Sequence, residues 1–444
     1  MSDGPDAGGQ KYSRLFRNAA YLRVFSAGLG SIAGQAIASV CLVWIVFEAT
    51  HSALDVGALG AAYVVAAIVF SVFTGAWVDR FDRRRLMILS DFSRAIAMGF
   101  VVVDLELRGF NLVTVLVAYA IVGAFYTLFN PAEQALVPAL VEGEDVANAN
   151  GLVRSSRSTL QFVGASIAGA LIVTVGGATG LAVNAGTFVL SGVLLLGLRI
   201  PSQGLARSHP QRARSRYFHD VREGFRWLWR AKGFFQLTIS ATFFNFCWTL
   251  IGTFLVIFAT EVLHGSALVY ALLLAAVVAG GGIGSLLVGP THGERWAGRS
   301  WVVPYGAASG AVALALVLFP QVPVALAALF VIGLLSGYAG TSWLTAAQLL
   351  IPSEMQGRYF GIDNLGSIVI VPAAQIGGAF LIAAYGIGDA YLAAAVLWVV
   401  AGLVFLIPRT LWNLGYRPKE PEATPRGGAA AAGTSGSPGG TRAG

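Results

Sequence analysis

Apolar stretches long enough to cross a bilayer recur along this chain, each closed by a few polar or charged residues. They run over residues 25 to 47, 54 to 78, 86 to 107, 112 to 136, 152 to 175 and 178 to 198. A second set covers 234 to 260, 266 to 290, 301 to 319, 322 to 348, 359 to 384 and 387 to 407. A helix of about 20 apolar residues spans the hydrocarbon core, so twelve such stretches in two sets of six predict an all-α polytopic membrane protein. The sets are divided by a polar stretch with nine Lys or Arg between residues 199 and 232. The implied organisation is an N-terminal tail (1–20), a first six-helix bundle (21–198), a basic linker (199–233), a second bundle (234–408) and a C-terminal tail (409–444) too poor in apolar residues to fold.

The two sets repeat one another. A shift of 214 residues carries Ser52-Ala53-Leu54 onto Ser266-Ala267-Leu268, Gly75 onto Gly289, and Gln134-Ala135-Leu136-Val137-Pro138 onto Gln348-Leu349-Leu350-Ile351-Pro352. Two homologous, pseudo-symmetric bundles are what rocking about a central site needs. Composition agrees: 56% of residues are hydrophobic, only 11% are charged, and the mean hydropathy is +0.71, outside the range of soluble domains.

Positive charge sets the orientation. Lys11, Arg14, Arg17, Arg23, the Arg80 to Arg85 cluster, Arg94, Arg154, Arg157, the linker, Arg295, Arg299 and Arg358 fall on one side and Arg108 alone on the other. That asymmetry places both termini in the cytoplasm and the protein in the cell membrane. The first twenty residues hold no apolar core of a signal peptide. Late in the linker, Phe218, Val221, Phe225 and Leu228 recur at helical spacing, which predicts an amphipathic helix on the inner leaflet. Its basic residues then face anionic lipid rather than nucleic acid.

Soluble-enzyme chemistry finds no foothold. Cys41 and Cys247 are isolated in apolar segments, and His51, His209, His219, His264 and His292 lie in loops without a paired nucleophile or metal-ligand spacing. The only lysines, Lys11, Lys232 and Lys419, stand in no nucleotide-binding loop. Gly280-Gly281-Gly282-Ile283-Gly284 lies inside a membrane segment, where close helix packing accounts for it. Neither a metal, a cofactor nor ATP hydrolysis is expected.

The most informative segment is Gly75-Ala76-Trp77-Val78-Asp79-Arg80-Phe81-Asp82-Arg83-Arg84-Arg85, a charged turn between spans 2 and 3. Arginines alone would orient the helix pair. Gly75 and Asp79 add something else: they share a helix face, where Gly admits a neighbouring backbone and Asp can bind helix N-terminal N–H groups or a facing arginine, Arg358 being one candidate. The run resembles the G-x-x-x-D-R-x-x-R-R-R signature that follows the second membrane helix in the major facilitator superfamily of secondary transporters. Asp82 stands where that family usually has Gly, a departure similar to the branch of enterobactin and macrolide exporters. Asn130-Pro131-Ala132 to Pro138, Ala147-Asn148-Ala149-Asn150 and Gln356-Gly357-Arg358 add to the resemblance.

The resemblance implies a gate built on Gly75, Asp79, Arg80, Arg83, Arg84, Arg85 and Arg358, and a central cavity lined by helices 1, 4, 7 and 10. All four helices carry polar stripes, from which Gln35, Tyr126, Asn130, Asn245, Thr249 and Tyr338 are the expected lining residues, with Trp248 and Trp343 as aromatic faces. Helix 6, with Asn184, Thr187 and Ser191 aligned, leaves helix–helix hydrogen bonding as an alternative reading of such stripes. The expected cavity is apolar and aromatic with neutral polar groups, suited to a bulky amphiphile. The implied function is gradient-driven export of a drug, siderophore or similar hydrophobic small molecule by a monomer, with protons as coupling ion. An importer of a small metabolite and a non-transporting sensor fit the same residues. No carboxylate sits at the estimated midplane, so the proton carriers to consider are Glu133 first, then Asp363 and Asp91. Against this, Glu133 can simply pair with Arg154 or Arg157, and Asp91 with Arg94.

Overall fold

The computed structural model describes residues 14–141, 145–198, 222–407 and 409–415. Within its helices the side chains of Gly75, Ala76, Asp79, Arg80, Arg154 and Gly357, among others, fall outside that description, as do most of the basic linker, Phe218 and Val221 included, and the C-terminal tail. Among the described residues twelve long helices run in sequence: α1 (Ala19–Thr50), α2 (Ala53–Arg80), α3 (Arg83–Arg108), α4 (Leu112–Leu140), α5 (Val146–Val175), α6 (Gly177–Leu196), α7 (Lys232–Thr253), α8 (Ala267–Leu286), α9 (Gly293–Leu318), α10 (Val322–Leu350), α11 (Ser353–Tyr385) and α12 (Ile387–Leu406). Eleven are long and apolar enough to cross a membrane; α5 is the twelfth, with its apolar part confined to Thr159–Val175.

Side chains that start a helix stand at the predicted turns. Asn18 accepts from the Ala20 and Tyr21 amides at 3.1 and 3.0 Å, Ser52 from Asp55 at 3.2 Å and Asn111 from Val113 at 3.0 Å, each satisfying donors that a helix start leaves open. Asp82 does the same for α3, accepting from the Arg85 amide at 3.0 Å. An N-cap favours Asp over Gly where the side-chain acceptor is needed, which gives the departure from the family signature a local physical reason.

The repeat governs the packing. Within the halves α2 packs on α4 and α8 on α10, both crossings being backbone-close: a Cβ on Gly123 would strike the Tyr63 carbonyl, and one on Gly337 the Gly281 carbonyl. Gly123 and Gly337 stand 214 residues apart, the shift read from the sequence. Gly176 and Gly386, which join α5 to α6 and α11 to α12, have φ of 88° and 84°, a region that favours glycine. Between the halves α2 lies on α11 and α5 on α8. These two contacts are each other's equivalents, because the repeat pairs helix 2 with 8 and helix 5 with 11.

One face of the molecule holds the start of α1, the ends of α2, α4, α6 and α12, and residues 222–230; the other, here called the far face, holds the His51 turn and the α3–α4 connection. The tight cross-half contacts lie toward the far face. A Cβ at Gly57 would sit 2.7 Å from the Gln375 carbonyl oxygen and 2.9 Å from the Ala379 Cβ, Gly60 abuts the Gln375 amide, and Gly169 abuts Ala271.

Residues 222–230 form a short helix whose orientation differs from the expected one. Gly224 and Leu228 are buried, Gly224 against Ile362 and Arg358 of α11, and the Trp227 ring lies 5.8 Å from Phe234 and 6.0 Å from Tyr359. Phe225 and Trp229 are left as its exposed apolar pair. The apolar stripe is therefore split, because Gly224 allows the helix to sit directly on α11.

Candidate functional site

A cavity of about 380 Å³ lies between the halves. Five helices of the first half wall it, with Gln35 and Ser31 from α1, Tyr63 from α2, Arg94 from α3, Tyr126 and Phe129 from α4, and Arg157 and Gln161 from α5. The second half adds Trp248 of α7 and Leu274, Val277 and Val278 of α8. Of the residues expected to line it, Gln35, Tyr126 and Trp248 do so.

Asn130, Asn245, Thr249, Tyr338 and Trp343 stand elsewhere. Asn130 accepts from Arg157 Nη1 at 3.0 Å, and Asn245 donates to the Ser367 carbonyl of α11 at 2.6 Å. The Thr249 hydroxyl donates to the carbonyl of Asn245 one turn back at 2.7 Å. Tyr338 shares a hydrogen bond of 2.9 Å with Thr291, and Trp343 sits in an aromatic cluster with Trp301, Tyr359 and Phe360. α8 rather than α10 supplies the wall, and α10 is held against α8 by the backbone contacts at Gly280, Gly284, Gly333 and Gly337.

The wall is also more charged than the stripes implied. Arg94 is fully buried; its Nη2 donates to Asp91 Oδ1 at 2.6 Å, Ser191 donates to Asp91 Oδ2 at 2.6 Å, and the guanidinium lies 4.8 Å from the Phe129 ring centre and 4.3 Å from that of Phe188. Both the ion pair and the cation–π contacts compensate the removal of this charge from water. Arg157 pairs through Nη2 with Glu133, while its Nε has no partner within hydrogen-bond geometry among the described residues. The Arg157 side chain is 21% exposed and that of Glu133 2%, so the cation faces the cavity and the carboxylate stands behind it. Gln35 Oε1 is likewise buried without a partner within hydrogen-bond geometry. Charges inside otherwise apolar segments were the signal for Arg94 and Arg157; their reach into the cavity depends on tertiary placement.

At the charged turn, Arg83 Nη1 donates to the Ala135 carbonyl at 3.0 Å and Arg84 Nε to the Leu195 carbonyl at 2.8 Å. These cations meet the C-terminal turns of α4 and α6, where open carbonyls and the helix dipole favour positive charge. Arg85 is exposed. Arg358 pairs with Glu223 of the linker helix at 2.9 Å. Gly75, Asp79 and Arg80 lie on α2, with their side chains outside the described part.

The sequence profile of the Major Facilitator Superfamily matches residues 24–374. The chain belongs to this superfamily. It is a multi-pass membrane transporter and not an enzyme. The multidrug efflux pump Tap of Mycobacterium tuberculosis (strain ATCC 25618 / H37Rv) is 26% identical over 427 residues, covering 93% of this chain and 99% of that protein. The uncharacterized MFS-type transporter YvqJ of Bacillus subtilis (strain 168) is 22% identical over 396 residues, covering 88% and 92%. In fold, a bacterial homolog of the human lysosomal transporter Spinster, in an inward-facing and unoccupied conformation, superposes with a TM-score of 0.71 at 16% identity, covering 91% of this chain and all of that one. The nucleoside transporter NupG gives 0.67 at 13% identity, covering 88% and 98%.

Proposed function

We propose that this transporter exports a hydrophobic small molecule carrying a hydrogen-bond acceptor, by alternating access, at the expense of a proton gradient across the cell membrane. One observation carries the reading: the cavity between the halves has apolar and aromatic walls with its polar groups gathered on one side. Phe129, Trp248, Leu274 and Val277 suit an apolar body. Arg157, the charge that faces inward, suits an acceptor such as a carboxylate, sulfonate or phenolate. Similarity over nearly the full length of the efflux pump Tap supports export. The linker face is taken as cytoplasmic from its positive charge, so packing of α2 on α11 and α5 on α8 at the far face is the arrangement of a carrier closed to the outside. The protein acts as a monomer in this reading, and Arg222, Arg226 and Arg230 of the linker helix meet anionic headgroups beside Phe225 and Trp229.

The test is accumulation in a bacterial host deficient in efflux, with the anion 8-anilinonaphthalene-1-sulfonate, neutral Nile red and cationic ethidium as probes. Expression should lower accumulation of the anion most, and a protonophore should abolish the difference. Raised accumulation on expression would mean import, and a preference for ethidium would refute the role given to Arg157.

A further inference from the structure

Five carboxylates are buried among the described residues: Asp91, Asp104, Glu133, Asp145 and Asp363. Four have a cation: Asp91 has Arg94, Asp104 has Arg108 at 3.8 Å, Glu133 has Arg157, and Asp145 has Arg14 at 3.2 Å. Asp363, on α11, has none among the described residues. Its Oδ1 accepts from the Thr238 hydroxyl of α7 at 3.0 Å. The Tyr359 hydroxyl, one turn back on α11, lies beside it, and the Thr238 hydroxyl and the indole of Trp343 on α10 lie beside that hydroxyl in turn. The nearest cation along α11, Arg358, is paired with Glu223 of the linker helix. α12 brings no ionisable group to this depth, and the α2 charges Asp79 and Arg80 have side chains outside the described part.

An ionised carboxylate without a cation is among the costliest groups to hold at membrane depth. Its charge must therefore come and go with the access of water. Asp91 and Glu133 are relieved of that need by their arginines, which can stay paired through a whole cycle. Asp363 also stands on the element that closes the far face: Gln375, against which Gly57 and Gly60 pack, lies twelve residues further along α11, about 18 Å at 1.5 Å per residue. One continuous helix, with Pro372 between the two positions, thus joins a carboxyl without a cation among the described residues to the cross-half contact.

Resting on the proton-driven reading above, we infer that Asp363, and not Glu133, takes up and releases the coupling proton. Uptake adds a proton from water to Oδ2 while Oδ1 keeps the Thr238 donor; release returns it to water on the opposite side once the halves have rocked. Thr238, Tyr359 and Trp343 form the polar chamber in which the neutral acid rests.

Two readouts on full-length protein in nanodiscs test this without a substrate. Infrared difference spectra between mildly acidic and mildly alkaline pH should show the carbonyl band of a protonated carboxyl in the wild type. The band should vanish in Asp363→Asn and survive in Glu133→Gln. Spin labels on Asn111→Cys and Gln321→Cys, in a background lacking Cys41 and Cys247, report the far-face opening. Its population should vary with pH in the wild type, not in Asp363→Asn, and again in Asp363→Glu, which also controls for folding. Thr238→Val should shift the midpoint without abolishing the response. A band or a pH response that persists in Asp363→Asn overturns the assignment, as does loss of the band in Glu133→Gln. A wild-type opening insensitive to pH refutes the proton-driven reading itself, while the infrared arm still decides where the proton sits.

Discussion

Replacing Gly57 with alanine tests whether the packing of α2 on α11 sets the balance between the two access states. The added Cβ would stand 2.7 Å from the Gln375 carbonyl oxygen and 2.9 Å from the Ala379 Cβ, and a backbone carbonyl inside a helix cannot turn aside. Gly60→Ala is the built-in control, since its Cβ meets the far end of the flexible Gln375 side chain. Overpacking of this kind costs about 1 to 3 kcal/mol. The cost falls only on the state closed at the far face, so the equilibrium should move toward the far-open state by roughly 5- to 150-fold. Gly60→Ala should move it by less than about threefold, a cost below about 0.7 kcal/mol. Spin-label distances between Asn111→Cys and Gln321→Cys measure the populations directly. A Gly57→Ala distribution superposing on that of the unmodified background, or an equal shift from both variants, would refute the claim that this backbone contact holds the far face shut.

Other expectations follow from the ion pairs and the topology. Arg157→Gln leaves Glu133 buried without its cation and should destabilise by about 3 to 5 kcal/mol, toward the lower end because Arg157 is 21% exposed. The double variant Glu133→Gln with Arg157→Gln should recover most of that in thermal unfolding, and a double no more stable than the single would sink the pairing argument. Asp79→Asn should express normally yet transport at least about tenfold more slowly, given that a charge-assisted hydrogen bond is worth about 1.5 to 3 kcal/mol; unchanged transport would leave the turn a purely topological element. Alkaline phosphatase fused after Pro408 should be inactive and one inserted in the His51 turn active, and the reverse pattern would invert the orientation.

What the sequence disclosed follows from what each signal depends on. Span number and the repeat are properties of contiguous segments and of one fixed shift, and both reappear in α1 to α12 and in the Gly123–Gly337 equivalence. The pairing of Asp91 with Arg94 was also local, since positions three apart on a helix are neighbours. The polar stripes were a weaker guide. Thr242 and Thr249 of α7 each bond to the carbonyl four residues back, and a threonine that satisfies itself in this way can face anything. A stripe of such residues says little about water. Arg157 faces the cavity because α5 presents it past Glu133 of α4, a relation that neither segment encodes alone.

The distribution of charge between the halves then bears on how the cycle is divided. The first half holds the buried pairs Asp91–Arg94 and Glu133–Arg157, and its Arg83 and Arg84 close the ends of α4 and α6 on helix carbonyls. The second half holds Asp363, a buried carboxyl without a cation among the described residues, a linker helix seated on the same α11, and an α9 with a π-helical stretch around Pro304. Proline removes a ladder hydrogen bond and π-helical stretches loosen the regular ladder, so the second half has more places at which to yield. On the proposed cycle the transporter would be asymmetric, one half offering a fixed cationic wall to the substrate and the other changing charge and shape. The repeat supplies two similar bundles, and divergence at Gly289, where no residue equivalent to Asp79 follows, leaves them with different work.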